Sequence, residues 1–348
     1  MIQTVSDSYM LPASLPLEEG GLLFNAVLAY EAYGRLAGNN AVVFLHDLVH
    51  SHRALGPNED SPYQPSGWGR ALIGEGLIFN PQVSYVLVPN LLGSPFGSTS
   101  PVSLDPESGK PLGPIFPPLT VDDQARAVAG LIRGMEIKRA RALVGVGFGA
   151  MVALRLAALF PDITAGVIAL GAGRALPERL RERFSLTPQI LSTDPDFEEG
   201  AYEAGQGPRR TIKALRLELL RLTSTREGLL ARYQDPLSAE RGLDAEAEAF
   251  STAFDANCYS LLCGAYGRAD VGPHFGKISA RVMLVSCATS AIAPPSHVRD
   301  AYHLLTAGGT NARAYELQSD LGQEGLLSET ERLRGPLSAF LATLDRGR

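Results

Sequence analysis

Between residues 22 and 170 the chain alternates short apolar runs with longer amphipathic stretches. Residues 22–33 predict a pair of strands. Ala41–Leu45 (AVVFL) is apolar throughout, as a strand covered on both faces must be. Residues 83–88 (VSYVLV) and Ala142–Val146 (ALVGV) repeat that pattern. Residues 121–135 and 150–160 space their apolar positions three and four apart, which predicts helices, and residues 165–170 (AGVIAL) add another short buried run. Strand and helix in alternation build a mostly parallel sheet with helices on both faces.

The texture changes between about residues 174 and 270. This stretch is rich in Arg and Glu, has helical periodicity (RTIKALRLELLRL) and offers no clear strand. The earlier rhythm then resumes, with strands at Arg281–Cys287 and Ala312–Leu317 and helices over residues 296–307 and 329–344. The expected architecture is an α/β core of residues 1–173 and 271–348, interrupted by a helical lid of residues 174–270. No internal repeat or low-complexity tract is visible.

Composition narrows the function classes. The 348 residues are 45% apolar and 20% charged, with a net charge of −6, and no basic patch is visible in sequence. Nucleic acid is therefore not an expected partner. No run of 18 or more apolar residues occurs, and the first residues lack a basic region followed by an apolar one, so neither a membrane span nor export is expected. Cys258, Cys263 and Cys287 are too few and too irregular for a disulfide framework or a zinc site, and read as small buried hydrophobes. The expected location is the cytoplasm, with no cofactor.

The most informative local pattern is Gly145-Val146-Gly147-Phe148-Gly149, which ends a strand and opens a helix. A sharp turn in that context is where G-x-S-x-G proteins expose a nucleophile. Gly145 and Gly149 frame the turn, but its centre is Gly147, which has no side chain to attack a carbonyl. A dinucleotide-binding glycine loop is the competing reading. Against it, Ala150 stands at the last glycine position, and Leu170-Gly171-Ala172-Gly173 lies where an acidic residue should end a second strand.

Several segments then resemble one family, the homoserine O-acetyltransferases and their serine-acylating relatives. Tyr30-Glu31-Ala32-Tyr33-Gly34 is similar to a YETYG strand, and His46-Asp47-Leu48-Val49-His50-Ser51 to a HALTGS-like oxyanion loop. Pro89-Asn90-Leu91-Leu92-Gly93 with Gly97-Ser98-Thr99-Ser100-Pro101 is similar to PNxLGG…GSTGP, and Asp105-Pro106 with Gly109-Lys110-Pro111 continues it. Asp194-Pro195-Asp196-Phe197, Gly207-Pro208-Arg209-Arg210 and Phe254-Asp255-Ala256-Asn257 resemble lid motifs. The resemblance spans nearly the whole chain. It implies an α/β-hydrolase fold and a homodimer formed through the lid.

The same resemblance locates three departures. Gly147 stands where the family has its serine nucleophile, Ser290 where it has the aspartate, and Gln323 where it has the histidine. An amide does not titrate near neutral pH and a hydroxyl supplies no negative charge, so the triad chemistry is expected to be absent. Backbone N–H groups near Leu48 and Phe148 are the expected oxyanion donors. By resemblance Arg216 would grip a substrate carboxylate, Glu324 would lie near a substrate amine, and His46 occupies a family position in the pocket loop. His46, Asp47, His50 and His52 crowd that loop. They could provide a new acid–base pair, with Asp47 and His50 the candidates, or hold a metal, although no metal site is expected. Cys258 in a lid motif and Cys287 in a core strand are poorly placed for nucleophiles.

The expected function is a family member without acyltransferase activity, kept to bind a small molecule or to serve as a partner scaffold. A repurposed enzyme performing cyclisation or elimination with Asp47 and the loop histidines is the first alternative. An acyltransferase or esterase of unusual mechanism is the second.

Overall fold

Alternate side chains of the central strands feed two separate apolar layers. Val43 and Leu45 of one strand join one layer, while Val42 and Phe44 join the other. That partition is why these strands are apolar at every position. The computed structural model describes residues 3–12, 14–56, 67–203 and 205–345. Its strands are β1 (Thr4–Met10), β2 (Leu15–Pro16), β3 (Leu22–Leu23), β4 (Val27–Tyr33), β5 (Ala41–Leu45), β6 (Tyr85–Pro89), β7 (Ala142–Val146), β8 (Gly166–Leu170), β9 (Arg281–Cys287) and β10 (Ala312–Leu317). Eight of them form one sheet in the order β1-β4-β6-β5-β7-β8-β9-β10. Pairing is antiparallel from β1 to β4 and from β4 to β6, and parallel from β6 onwards.

One expectation needs correction, and one strand was missed. Residues 22–33 do not form a strand pair: β3 pairs with β2 in a small separate ribbon, while β4 enters the main sheet between β1 and β6. The edge strand β1 went unrecognised because TVSDSYM is exposed at nearly every position, so no burial pattern marks it.

The core helices are α1 (Val121–Gly134) and α2 (Phe148–Leu159), then α8 (Pro295–Ala307), α9 (Gly325–Ser328) and α10 (Thr330–Asp345). Five more, α3 (Glu178–Ser192), α4 (Arg209–Thr223), α5 (Arg226–Tyr233), α6 (Pro236–Ala253) and α7 (Ala256–Arg268), form a helical insertion between β8 and β9. Residues from α1, α2 and α8 pack into one layer beside the sheet, and residues from α10 into the other. The insertion leaves and rejoins the core at one place, where Ala175 bridges Asp270 and Arg174 pairs with Asp270 at 2.6 Å. No helix among the described residues is long and apolar enough to cross a membrane.

Helix α1 starts with a capping box in which Thr120 and Asp123 exchange hydrogen bonds. The next residue, Gln124, grips both the N–H and the carbonyl of Leu92. Beside it Asp122 makes a two-pronged ion pair with Arg155 of α2, both side chains being buried. This pair braces the helix that carries the glycine turn. Breaking a buried pair leaves one charge stranded, which costs about 3–5 kcal/mol. Asp122→Ala should therefore lower unfolding stability by about that amount in a urea titration. A change below about 1 kcal/mol would mean that water already compensates Arg155.

Candidate functional site

Strand β7 ends at Val146 and α2 begins at Phe148, with Gly147 alone turning the chain at φ 53°, ψ −118°. L-residues rarely adopt that conformation, and glycine adopts it without strain. The helix packs tightly on the strand because Gly145 and Gly149 have no side chains. A methyl at Gly145 would overlap the Gly149 carbonyl, and one at Gly149 would overlap the Leu45 carbonyl.

The space above Gly147 is occupied. A methyl group there would overlap the carboxylate of Asp47, which arrives from the loop after β5. Asp47 Oδ1 accepts two hydrogen bonds of 2.8 Å, from the N–H of Leu48 and from the N–H of Phe148. These are the two groups expected to serve as oxyanion donors, and a carboxylate from the same chain fills their position. No hydrogen-bond donor among the described residues meets the other oxygen, Oδ2. The Asp47 carbonyl is pinned as well, accepting from His46 Nδ1 at 2.8 Å and from the His50 N–H at 2.9 Å. One residue thus anchors the whole loop.

The two residues expected at the acid and base positions, Ser290 and Gln323, lie against each other. The Ser290 hydroxyl donates to Gln323 Oε1 at 2.7 Å, and Gln323 Nε2 donates to the Gly171 carbonyl at 3.0 Å. Ser290 also accepts from the Ala293 N–H at 3.1 Å. In an acid–base dyad the ring N–H donates to the carboxylate; here the donor sits on the opposite residue.

Beyond Asp47 a cavity of about 510 Å³ opens between the core and the helical insertion. Asp47, His50, Trp68 and Gln323 line it from the core, and Arg216 and Glu246 from the insertion. Arg216 of α4 is 8% exposed. It pairs with Glu246 of α6 at 2.7 Å and lies over the Phe250 ring, while its Nε has no hydrogen-bond partner. Glu246 also lies 3.5 Å from Arg232, which approaches Glu324 at 3.8 Å. His50 stacks on Trp68, with centroids 5.6 Å apart, and its Nδ1 is buried without a partner.

Several expected site residues play other parts than those assigned. His46 does not touch a ligand space. It is 1% exposed, its Nδ1 donates to the Asp47 carbonyl, and its Nε2 accepts from the Leu91 N–H at 3.1 Å. It ties two loops together. His52 is buried away from the cavity, so the loop histidines do not converge, and no group of three metal-ligating side chains forms among the described residues. Glu324 lines the cavity rim, but its side chain is 64% exposed and turned to Arg232. Cys258 and Cys287 are buried and lie outside the cavity lining.

Sequence reasoning missed Glu246. It left a signal: Leu243, Glu246, Ala247 and Phe250 share one helical face, and an acid on such a stripe needs a buried partner.

Burial dominates the electrostatics. It pulls His46 and His52 down to about 4 and His50 to about 3. It pushes the Asp47 carboxyl above its ordinary value, against the opposing pull of the Phe148 and Leu48 N–H groups and of Arg216.

No family model matches the chain. An L-serine/homoserine O-acetyltransferase of Streptomyces lavendulae is 31% identical, covering 95% of this chain and 96% of its own. A homoserine O-acetyltransferase of Thermus thermophilus is 31% identical over 93% of this chain and 88% of its own. A serine O-succinyltransferase of Xanthomonas campestris pv. campestris is 31% identical over 98% of both. Among solved structures, homoserine O-acetyltransferase from Bacillus anthracis superposes with a TM-score of 0.86 at 20% identity, covering 97% of each chain. Esterase E22 superposes with a TM-score of 0.85 at 20% identity, covering 98% of this chain and 100% of its own. These neighbours share the α/β-hydrolase fold.

The histidine shifts set a pH dependence. Each native pKa lies below the unfolded value near 6.5, so between about 4 and 6.5 the unfolded chain binds more protons. Stability from these groups is complete above pH 6.5 and is lost as pH falls through that window. Asp47, shifted upwards, acts with the opposite sign but is one group against three. The urea midpoint should fall between pH 7 and pH 5, and His52→Gln should flatten the fall. A midpoint constant over that range would rule out neutral buried histidines.

Proposed function

Because the chain belongs to the homoserine/serine O-acyltransferase family, we propose that it is a member in which triad acyl transfer is lost and the cavity serves to bind a small molecule. The observation that carries this reading is the Asp47 carboxylate seated on the N–H groups of Leu48 and Phe148. Acyl transfer through an enzyme ester needs a nucleophile, a base and free donors for the developing oxyanion. Gly147 supplies no nucleophile. Gln323 supplies no base, and Ser290 no charge to orient one. Asp47 occupies the donors, so an incoming carbonyl oxygen would have to displace a carboxylate. The cavity itself is open and lined by charged and apolar groups, as small-molecule sites are. A homodimer joined through the helical insertion belongs to the same reading.

A second reading has one observation in its favour. Asp47 lines the cavity with one carboxylate oxygen free of hydrogen bonds among the described residues, and burial holds that carboxyl above the ordinary carboxylate range, in the direction a general base needs. Asp47 would then run a cyclisation or elimination that forms no acyl-enzyme. His50 is the poorer base, because burial pulls it to about 3.

Purified protein should show no turnover of p-nitrophenyl acetate, or of acetyl-CoA with L-homoserine or L-serine, above buffer. Turnover would sink the binding reading. The triple variant Gly147→Ser, Ser290→Asp, Gln323→His should stay inactive, because the serine side chain would overlap Asp47. Adding Asp47→Ala should raise esterase activity, by about 10²–10³-fold if the freed donors act as an oxyanion hole.

A further inference from the structure

We propose that the floor of the cavity is a binding site for the ammonium end of a small primary amine, with Asp47 Oδ2 as its anchor. The proposal deepens the reading of the cavity as a ligand site and rests on it.

Asp47 divides its two oxygens between two tasks. Oδ1 is saturated by the Leu48 and Phe148 N–H groups at 2.8 Å each. Oδ2 meets no donor among the described residues, and Asp47 lines the cavity. A carboxylate in that state offers strong acceptor directions and a negative charge to whatever enters, and an ammonium group, with three donors and a positive charge, answers both. Arg216, the cation that acts on Asp47, is shared with Glu246 at 2.7 Å and so offsets the carboxylate only in part. The upward displacement of the Asp47 carboxyl is consistent with a buried charge that lacks a full counter-charge.

A second group bears on the same space. Arg216 is more than nine-tenths buried and lines the cavity, its guanidinium held by Glu246 and over the Phe250 ring, so the wall beside Asp47 is a neutralised ion pair that offers an entering group no competing charge. The aromatic pair of His50 and Trp68 and the apolar side chains of Val49, Leu229 and Ile292 give the carbon skeleton its wall. Acyl groups are disfavoured at the floor for the complementary reason: their carbonyl oxygen needs the two N–H donors that Asp47 holds.

Calorimetric titration of the full chain at pH 7 with n-butylamine, n-butanol and sodium acetate tests this. Wild type should bind butylamine and bind neither butanol nor acetate. Asp47→Asn keeps an oxygen for the two N–H groups but loses the charge, so it should weaken butylamine binding by about tenfold or more and still reject acetate. Asp47→Ala empties the donor pair and should gain acetate binding, while butylamine weakens as in Asp47→Asn. Thermal melts of each variant check that it folds, and Asp47→Asn carries the test if Asp47→Ala does not. No butylamine binding by wild type, equal binding of butylamine and butanol, or equal binding of butylamine by wild type and Asp47→Asn would each overturn the proposal. Acyl turnover by wild type would instead overturn the functional reading beneath it, so the two failures are separable.

Discussion

Two backbone N–H groups, from Leu48 and from Phe148 at the start of α2, converge above the glycine turn, and the geometry around them follows from the need to give them an acceptor. The Phe148 N–H cannot pair within the helix, because the first N–H groups of a helix have no partner there, and the helix dipole adds positive potential at that point, while the Leu48 N–H belongs to a loop. Asp47 answers from the neighbouring loop with one oxygen. Hydrogen bonds to a charged group contribute about 1.5–3 kcal/mol each, enough to hold a short loop in one path. The Asp47 carbonyl adds the bonds from His46 and His50, and His46 passes the restraint to the loop at Leu91.

The residues expected to depart from the family pattern fit around that contact. A side chain at position 147 would collide with the Asp47 carboxylate, so glycine is required twice, once for its backbone angles and once for its missing Cβ. Gln323 lies against Gly171, whose own missing Cβ leaves the room, and it takes the Ser290 hydroxyl as donor. A histidine at 323 with Ser290 unchanged would face a hydroxyl in place of a carboxylate. Each substitution is self-consistent with its neighbours, so reverting any one alone creates a clash or an unmatched partner. That mutual fit supports the proposal that the site works as a binding pocket.

The central strands were legible because burial on both faces leaves no polar position in them, and the helical insertion because its periodicity is 3.6 and its charge is high. Strand β1 was not, since TVSDSYM is exposed and joins the sheet only through backbone pairing with β4. At the site, the glycine-framed turn singled out Gly147 and the family resemblance pointed to Ser290 and Gln323, and the fold sets Ser290 and Gln323 in hydrogen-bond contact. What the motif could not convey was direction. Asp47 reads in sequence as a free acid in a loop of histidines, and only the path of the chain turns its carboxylate onto the donors of another element. Likewise the three histidines, close in sequence, point three ways: His46 between two loops, His50 against Trp68, and His52 away from the cavity.

The charge pattern of the cavity bears on what can occupy it. Arg216 and Glu246 neutralise each other across α4 and α6, with Arg232 and Glu324 repeating the pairing at the exposed rim. What is only partly compensated lies at the floor, on Asp47. A purely apolar guest would leave that charge without a partner, at about 1–3 kcal/mol. An anion would meet like charge where the Leu48 and Phe148 N–H groups converge. A guest with a cationic end at the floor relieves that deficit, and this sets the proposed ligand class apart from an acyl donor, whose carbonyl oxygen needs the donors that Asp47 holds.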